Sequence, residues 1–352
     1  MTELTFNAQG ILARGRGLTF DDVLIVPSKS AVRSRKDPNL ATRVTRRHRL
    51  EVPFISAKMD TITESAMAIA MDKLGGLGIL HRFMTIEQQL DEVRKVRAAG
   101  CTRIAASIGV NEEAQSRATA LVNEGVNILT IDIAHGHSVA MIEILQWLRD
   151  KFSEKVDLIA GNVATPEGCV ELIKAGADAI KVGIGPGSMC TTRIITGCGV
   201  PQLTAVAWCV EAARDFKIPI IADGGLKSSG DIVKALAAGA ETVMLGSLLA
   251  GSLETPGEIH YGKKNYRGMA SRAAQISWRG GLPEGMAPEG EATSVPIKGH
   301  VKDVALELAG GLRSGMSYIN AADMSELAER TRFIEMTGAG TVESRAHGLS
   351  SL

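Results

Sequence analysis

The chain has 352 residues, 45% of them hydrophobic and 22% charged, with Lys+Arg 39 exactly balancing Asp+Glu 39. This length exceeds one average domain but suits a single α/β barrel, and the balanced charge gives no global field to draw the chain to nucleic acid or to a membrane surface. No stretch approaches the roughly 18 apolar residues of a membrane span, and the first residues carry no apolar signal core. Five cysteines, Cys101, Cys169, Cys190, Cys198 and Cys209, are odd in number and lack Cys-x-x-Cys spacing. That usage fits a reduced, cytoplasmic setting.

Residues 1–50 read as polar and irregular, with one apolar patch at 18–27 and a basic cluster at 43–49 that reads as a solvated loop. A rhythm then begins. Short apolar runs occur at 52–56, 77–80, 104–108, 128–131, 158–160, 179–182, 218–222 and 242–245. Between them lie stretches with helical spacing at 65–74, 86–99, 112–124, 138–151, 166–175, 205–214 and 229–238. Eight strands alternating with helices predict a (β/α)8 barrel of the TIM type. An open doubly wound sheet is the alternative, but it would place a Gly-rich fingerprint after the first strand, and Phe54-Ile-Ser-Ala-Lys-Met-Asp is not one.

Active sites of such barrels assemble at the strands' C-terminal ends. The residues predicted there are Met59 and Asp60, His81 and Arg82, Asp132, His135 and His137, Gly161 and Asn162, Cys190, Asp223, Gly224 and Gly225, then Gly246 and Ser247. Beyond the eighth strand the register breaks. A Gly- and Pro-rich segment at about 262–300, with a hairpin-turn candidate at 261–265, reads as disordered or as a lid, and its place beside the barrel mouth favours the lid. A helix is expected to resume at 301–312, a further turn or helix at 325–333, and an extended Gly-rich tail from Gly338 at 338–352.

The stretch after the sixth strand is the most informative. Glycines at 183, 185 and 187 free backbone groups to crowd around an ion or phosphate, and Cys190 follows them beside Thr191, Thr192 and Arg193. Such surroundings favour a thiolate nucleophile; the competing reading of a lone cysteine is a small buried hydrophobe. Asp223-Gly-Gly offers an acceptor for a ribose diol, or a cap for the helix near Ser229. Leu245-Gly-Ser offers donors for a phosphate, or close strand packing.

The run Gly183-Ile-Gly-Pro-Gly-Ser-Met-Cys-Thr-Thr-Arg193 resembles the catalytic loop of the inosine-monophosphate dehydrogenase and guanosine-monophosphate reductase superfamily. Leu18-Thr-Phe-Asp-Asp-Val-Leu, Ser56-Ala-Lys-Met-Asp-Thr, Leu80-His-Arg, Asp132-Ile-Ala-His-Gly-His-Ser, Gly161-Asn-Val-Ala-Thr, Ala222-Asp-Gly-Gly, Met244-Leu-Gly-Ser and Tyr266-Arg-Gly-Met are similar to its other motifs, in its order, over nearly the whole chain. The resemblance implies one catalytic barrel domain over 1–352. The paired regulatory module that many members carry after the second barrel helix has no room here, because Val96-Arg-Ala-Ala-Gly-Cys-Thr-Arg runs straight into the third strand.

The resemblance further implies that Met59, Asn162, Ser188, Asp223, Gly224, Gly225, Met244, Gly246, Ser247, Tyr266, Gly268, Met269 and Gly290 hold the nucleotide. His81, Asp132, Ala134, Asn162 and Gly183 would lie toward a nicotinamide cofactor. Backbone carbonyls of Gly185, Gly187 and Cys190, with Glu343 of a neighbouring subunit, would hold potassium in a homotetramer or octamer. Both branches of the family form a thioimidate between the cysteine and purine C2. The dehydrogenase branch, which takes IMP to XMP with NAD, needs an activated water supplied by an Arg-Tyr pair in its lid. Arg272 and Arg279 here are not followed by Tyr. The reductase branch, which takes GMP to IMP with NADPH, needs a Thr and a Glu to protonate the departing amine, and Thr192 and Glu289 match them. Two features depart from the reductase pattern: Met286 stands where many reductases have Arg, and the tail around Glu343 is similar to the dehydrogenase C-terminus. The expectation is therefore an NADPH-dependent GMP reductase, with an IMP dehydrogenase and an inactive nucleotide-binding homologue as alternatives.

Overall fold

The structure, a computed structural model, describes residues 4–282 and 284–344. Eight parallel strands close into a barrel: β1 (Phe54–Ser56), β2 (Leu77–Leu80), β3 (Ala105–Ile108), β4 (Ile128–Asp132), β5 (Asp157–Val163), β6 (Ala179–Val182), β7 (Ile220–Asp223) and β8 (Thr242–Leu245). Closure comes from β8 pairing β1 in parallel, Val243 opposite Phe54 and Leu245 opposite Ser56. The eight apolar runs are thus the eight staves, because a strand covered on both faces has no polar side to alternate with.

Helices α1 (Ser65–Lys73), α2 (Ile86–Ala98), α3 (Ala114–Asn123), α4 (Val139–Phe152), α5 (Pro166–Lys174), α6 (Gln202–Ala213) and α7 (Ser229–Ala237) follow the first seven strands. Their starts are written locally. Thr85 and Gln88 form a capping box, Ser138 and Thr165 accept the N3 amides of α4 and α5, and Pro166 occupies the first turn of α5. Ser228 caps α7. Asp223 is therefore free of the capping role that its sequence position also allowed.

One apolar cluster fills the barrel interior, with Ile55, Leu77, Ile79, Ile128, Ile159, Ile221 and Met244 stacked in it; a larger one lies between strands and helices. Six residues, 99–104, link α2 to β3.

Past β8 the chain forms an antiparallel hairpin, β9 (Lys263–Arg267) with β10 (Ala292–Pro296), enclosing helix α8 (Arg272–Arg279). The expected hairpin turn falls at Tyr261 and Gly262, both at positive φ, between bridged His260 and Lys263. The lid segment is thus ordered by strand pairing. Helix α9 (Val301–Tyr318) runs beyond the expected 312 and packs on α7 and α1.

Two expectations need correction. The first fifty residues are not wholly irregular: Thr5–Phe6 and Val23–Ile25 flank Phe333–Glu335 in a three-stranded sheet, and Thr42–Arg43 pairs Arg49–Leu50. The tail is not extended at its start. Gly338–Glu343 is a helix because Thr337 accepts the Gly340 amide as an N-cap; Arg345 to His347 lie outside the described residues. Among the described residues no helix is long and apolar enough to cross a membrane.

Candidate active site

A cleft of about 560 Å³ opens at the C-terminal ends of the strands. Cys190 lines it, half-buried. Its thiol donates to Thr192 Oγ1 at 3.1 Å, and that hydroxyl donates to Glu289 Oε2 at 2.7 Å. The contact joins the loop after β6 to the lid, and it is held by the backbone. The Thr191 amide donates to the Glu289 carbonyl at 3.2 Å, and the Glu291 amide to the Met189 carbonyl at 2.9 Å. On its other side, segment 289–291 accepts from Gly268 N and donates to Ala270 O. The lid is therefore laced to the cysteine loop as a small ribbon, which fixes a carboxyl next to the thiol's hydroxyl neighbour.

Arg193 does not flank the thiol. Its guanidinium donates to Ile184 O at 3.2 Å and to Val200 O at 2.6 Å, tying the two ends of the loop together. The side chain is drawn there because the turn leaves those carbonyls without strand partners.

The floor of the cleft is charged. Asp223 Oδ2 accepts from Lys181 Nζ at 2.9 Å and Asn162 Nδ2 at 3.1 Å, with Lys58 Nζ 3.6 Å away. Asp132 Oδ1 lies 3.0 Å from Lys58 Nζ and 3.2 Å from Lys181 Nζ. Lys181 Nζ also donates to Asn162 Oδ1. Burial opposes charge on both acids, yet Lys58 and Lys181 hold both carboxyls below their ordinary range. The hydrogen bonds and ion pairs of the Asp223 carboxylate fall on Oδ2, so Oδ1 makes no hydrogen bond among the described residues, and Asp223 lines the cleft.

At the wall near β8, buried Tyr266 places its hydroxyl 3.0 Å from Ser188 Oγ, and burial raises its pKa. Thr19, Phe20 and Asp21, from the N-terminal apolar patch, complete that side.

The cleft gathers most of the residues anticipated from sequence: Met59, Asp132, Ala134, Asn162, Gly183, Gly185, Gly187, Ser188, Cys190, Thr192, Asp223, Gly224, Gly225, Met244, Gly246, Ser247, Tyr266, Gly268, Met269 and Glu289 all line it. Gly290 lies behind it, bridged to Cys190. His81 does not join them. It is 2% exposed, its ring 3.3 Å from Glu64 Oε1, and it lines a neighbouring cavity of about 1110 Å³. Glu343, exposed near the tail, is also outside the cleft. Lys58 and Lys181 were not singled out as functional. A lysine within the apolar run of β6 was the available signal, since such a residue is almost never fully buried unless paired.

The two cavities share Arg82, Phe83 and Trp278. Arg82 Nε and Trp278 Nε1 there, and Gln275 Oε1 in the cleft wall, are buried without a hydrogen-bond partner among the described residues. Two unsatisfied buried donors and one acceptor of this kind suit a polar ligand spanning both cavities.

A family model described as IMP dehydrogenase / GMP reductase domain matches residues 17–347. The chain belongs to this family. Its members are oxidoreductases, and the chain is an enzyme of that class. The chain is 43% identical to an inosine-5'-monophosphate dehydrogenase of Cryptosporidium parvum, over 95% of each chain. It is 39% identical to the same-named enzyme of Borreliella burgdorferi (95% and 98% covered). It is 35% identical to a GMP reductase of Leishmania donovani (96% and 98% covered). These alignments run over 386, 396 and 480 positions, so the relatives carry segments that this family member lacks.

Proposed function

We propose that the protein is an NADPH-dependent GMP reductase, converting GMP to IMP and ammonia in a single barrel domain. The observation that carries this reading is the chain of contacts from Cys190 Sγ to Thr192 Oγ1 to Glu289 Oε2. As the sulfur bonds to purine C2, its proton passes through the Thr192 hydroxyl to Glu289. The protonated carboxyl returns it along the same path to the 2-amino group, and the C–N bond breaks with loss of ammonia. NADPH, when bound, supplies the hydride that C2 takes up before the C–S bond breaks. Asp223 Oδ1 would receive the ribose diol, and the Ser188–Tyr266 pair with the Gly246-Ser247 loop the phosphate. Asp132 and the Arg82–Trp278 wall would meet the cofactor.

Potassium is part of the same reading. The carbonyls of Gly185 and Cys190 accept no hydrogen bond among the described residues, and that of Gly187 accepts one, from Cys190 N at 3.1 Å. Carbonyls with few hydrogen bonds suit a weakly hydrated cation, with Glu343 of a neighbouring subunit and a homotetramer or octamer completing the site.

A second reading, IMP dehydrogenase with NAD, has its own support: relatives at 43% and 39% identity carry that name. In it the Thr192–Glu289 relay takes a proton from water. Against it, Arg279 is followed by Gly280 rather than Tyr, and its guanidinium lies over the Trp278 ring at 4.2 Å. Two absorbance assays decide. Loss of NADPH absorbance with GMP and release of ammonia is the expected result; formation of NADH from IMP and NAD, with no response to GMP plus NADPH, overturns it.

A further inference from the structure

The cleft floor contains two lysines and two aspartates from four strand ends, and the lysines differ in kind. Lys181 sits within β6, 0% exposed in its side chain, whereas Lys58 stands on the loop after β1 with its side chain 11% exposed toward the cleft. Each ammonium touches both carboxylates. The remaining groups facing them are Asn162 at the end of β5, Arg82 after β2 and the Tyr266 hydroxyl from β9.

We propose that Lys58 is a positioning residue that keeps Asp132 and Asp223 ionised and side by side, so that the two acids can each present an oxygen to a ligand. One ammonium cannot serve two carboxylates through all their outward lone pairs, and two anions this close repel each other in a half-buried site. Lys181 does not do this alone: inside β6 its ammonium is also taken up by Asn162 Oδ1, whereas Lys58 reaches both carboxylates from the cleft side, 3.0 Å from Asp132 Oδ1 and 3.6 Å from Asp223 Oδ2. Only the affinity measurement below rests on the nucleotide reading of the cleft.

Removing a charge at this range raises an aspartate's pKa by about one to three pH units. The test is pH-difference infrared spectroscopy of the ligand-free protein between about pH 3 and 7, because both carboxyls start below 3.8 and a rise of this size brings them into that window. Lys58→Met and Lys58→Gln are expected to gain protonated-carboxyl absorbance beyond that of the wild type and of Lys58→Arg. Adding Asp132→Asn or Asp223→Asn should remove it. Glu241, whose buried carboxyl also titrates high, lies before β8 at the opposite end of the barrel and contributes equally to every variant. A Lys58→Met spectrum identical to the wild type overturns the proposal. In parallel, the affinity of Lys58→Met for GMP relative to the wild type should fall as the pH falls, by up to about tenfold per pH unit. A ratio that stays flat removes Asp223 from the acids Lys58 controls. Absence of GMP and IMP binding by the wild type would sink the functional reading alone, leaving the infrared result to decide the role of Lys58.

Discussion

Thr192 and Glu289 meet at 2.7 Å across 97 residues of sequence. One stands beside the cysteine, the other on the lid segment that leads into β10. In the proposed reaction this contact would couple lid docking to proton transfer, because the Glu289 carboxyl is carried by the same segment, 289–291, that the backbone bonds hold to the cysteine loop. The same geometry explains why a segment rich in Gly and Pro is held in place here, since the amides of Thr191 and Glu291 secure it from both sides.

Glu289→Gln preserves size and the Thr192 contact but cannot carry a proton. Its kcat is expected to fall by about two to four decades, the span of general acid–base catalysis, with nucleotide affinity nearly unchanged. Thr192→Val should fall similarly, and the double variant no further than the worse single one, because the two groups act in series. Wild-type turnover in Glu289→Gln would return this carboxyl to a structural role.

Cys190→Ala should abolish turnover while calorimetry still detects GMP, since Asp223, Gly246, Ser247 and Tyr266, proposed to hold the nucleotide, lie outside the cysteine loop. Measurable turnover in this variant would remove the sulfur from the mechanism.

Gly268 and Gly290 are needed for space rather than for backbone freedom. A Cβ on Gly268 would stand 2.8 Å from the Met189 carbonyl, and one on Gly290 3.0 Å from the same oxygen. Gly268→Ala should therefore push the lid off the cysteine loop. A misplacement of this kind costs about 100-fold in kcat, against a stability loss of only about 1–3 kcal/mol from overpacking. If calorimetric stability and activity fell in proportion, the variant would be a folding lesion and not a displaced lid.

Much of this was legible in sequence. The barrel followed from the recurrence of buried strands, and Cys190, Thr192 and Glu289 from motif resemblance. What was not legible depended on long-range pairing. Arg193 looked like a partner for the thiol, but the loop's own carbonyls claim it. His81 follows β2 as expected, yet its ring turns to Glu64 in the adjacent cavity. The helix at Gly338–Glu343 was hidden because two glycines outweighed a single capping threonine. Lys58 and Lys181 gain meaning only when closure of the barrel brings β1, β4, β6 and β7 to one floor.

Lys181, buried within β6, is expected to carry the cluster's contribution to stability. Burial works against the charges of Asp132 and Asp223, but the two lysines prevail and keep both folded-state pKa values below the unfolded value of about 3.9. The stabilisation is therefore complete above about pH 4 and is lost as the pH falls through the folded values. Lys181→Met leaves two half-buried carboxylates with Lys58 alone, and removal of one partner from a buried ion cluster costs about 3–5 kcal/mol. Denaturant unfolding at neutral pH should reveal that loss in Lys181→Met. The further decline of stability below about pH 4 should be shallower in the variant than in the wild type, because less charge stabilisation remains to be titrated away. Equal stability of the two proteins at neutral pH would mean that the ion cluster contributes nothing net to the fold.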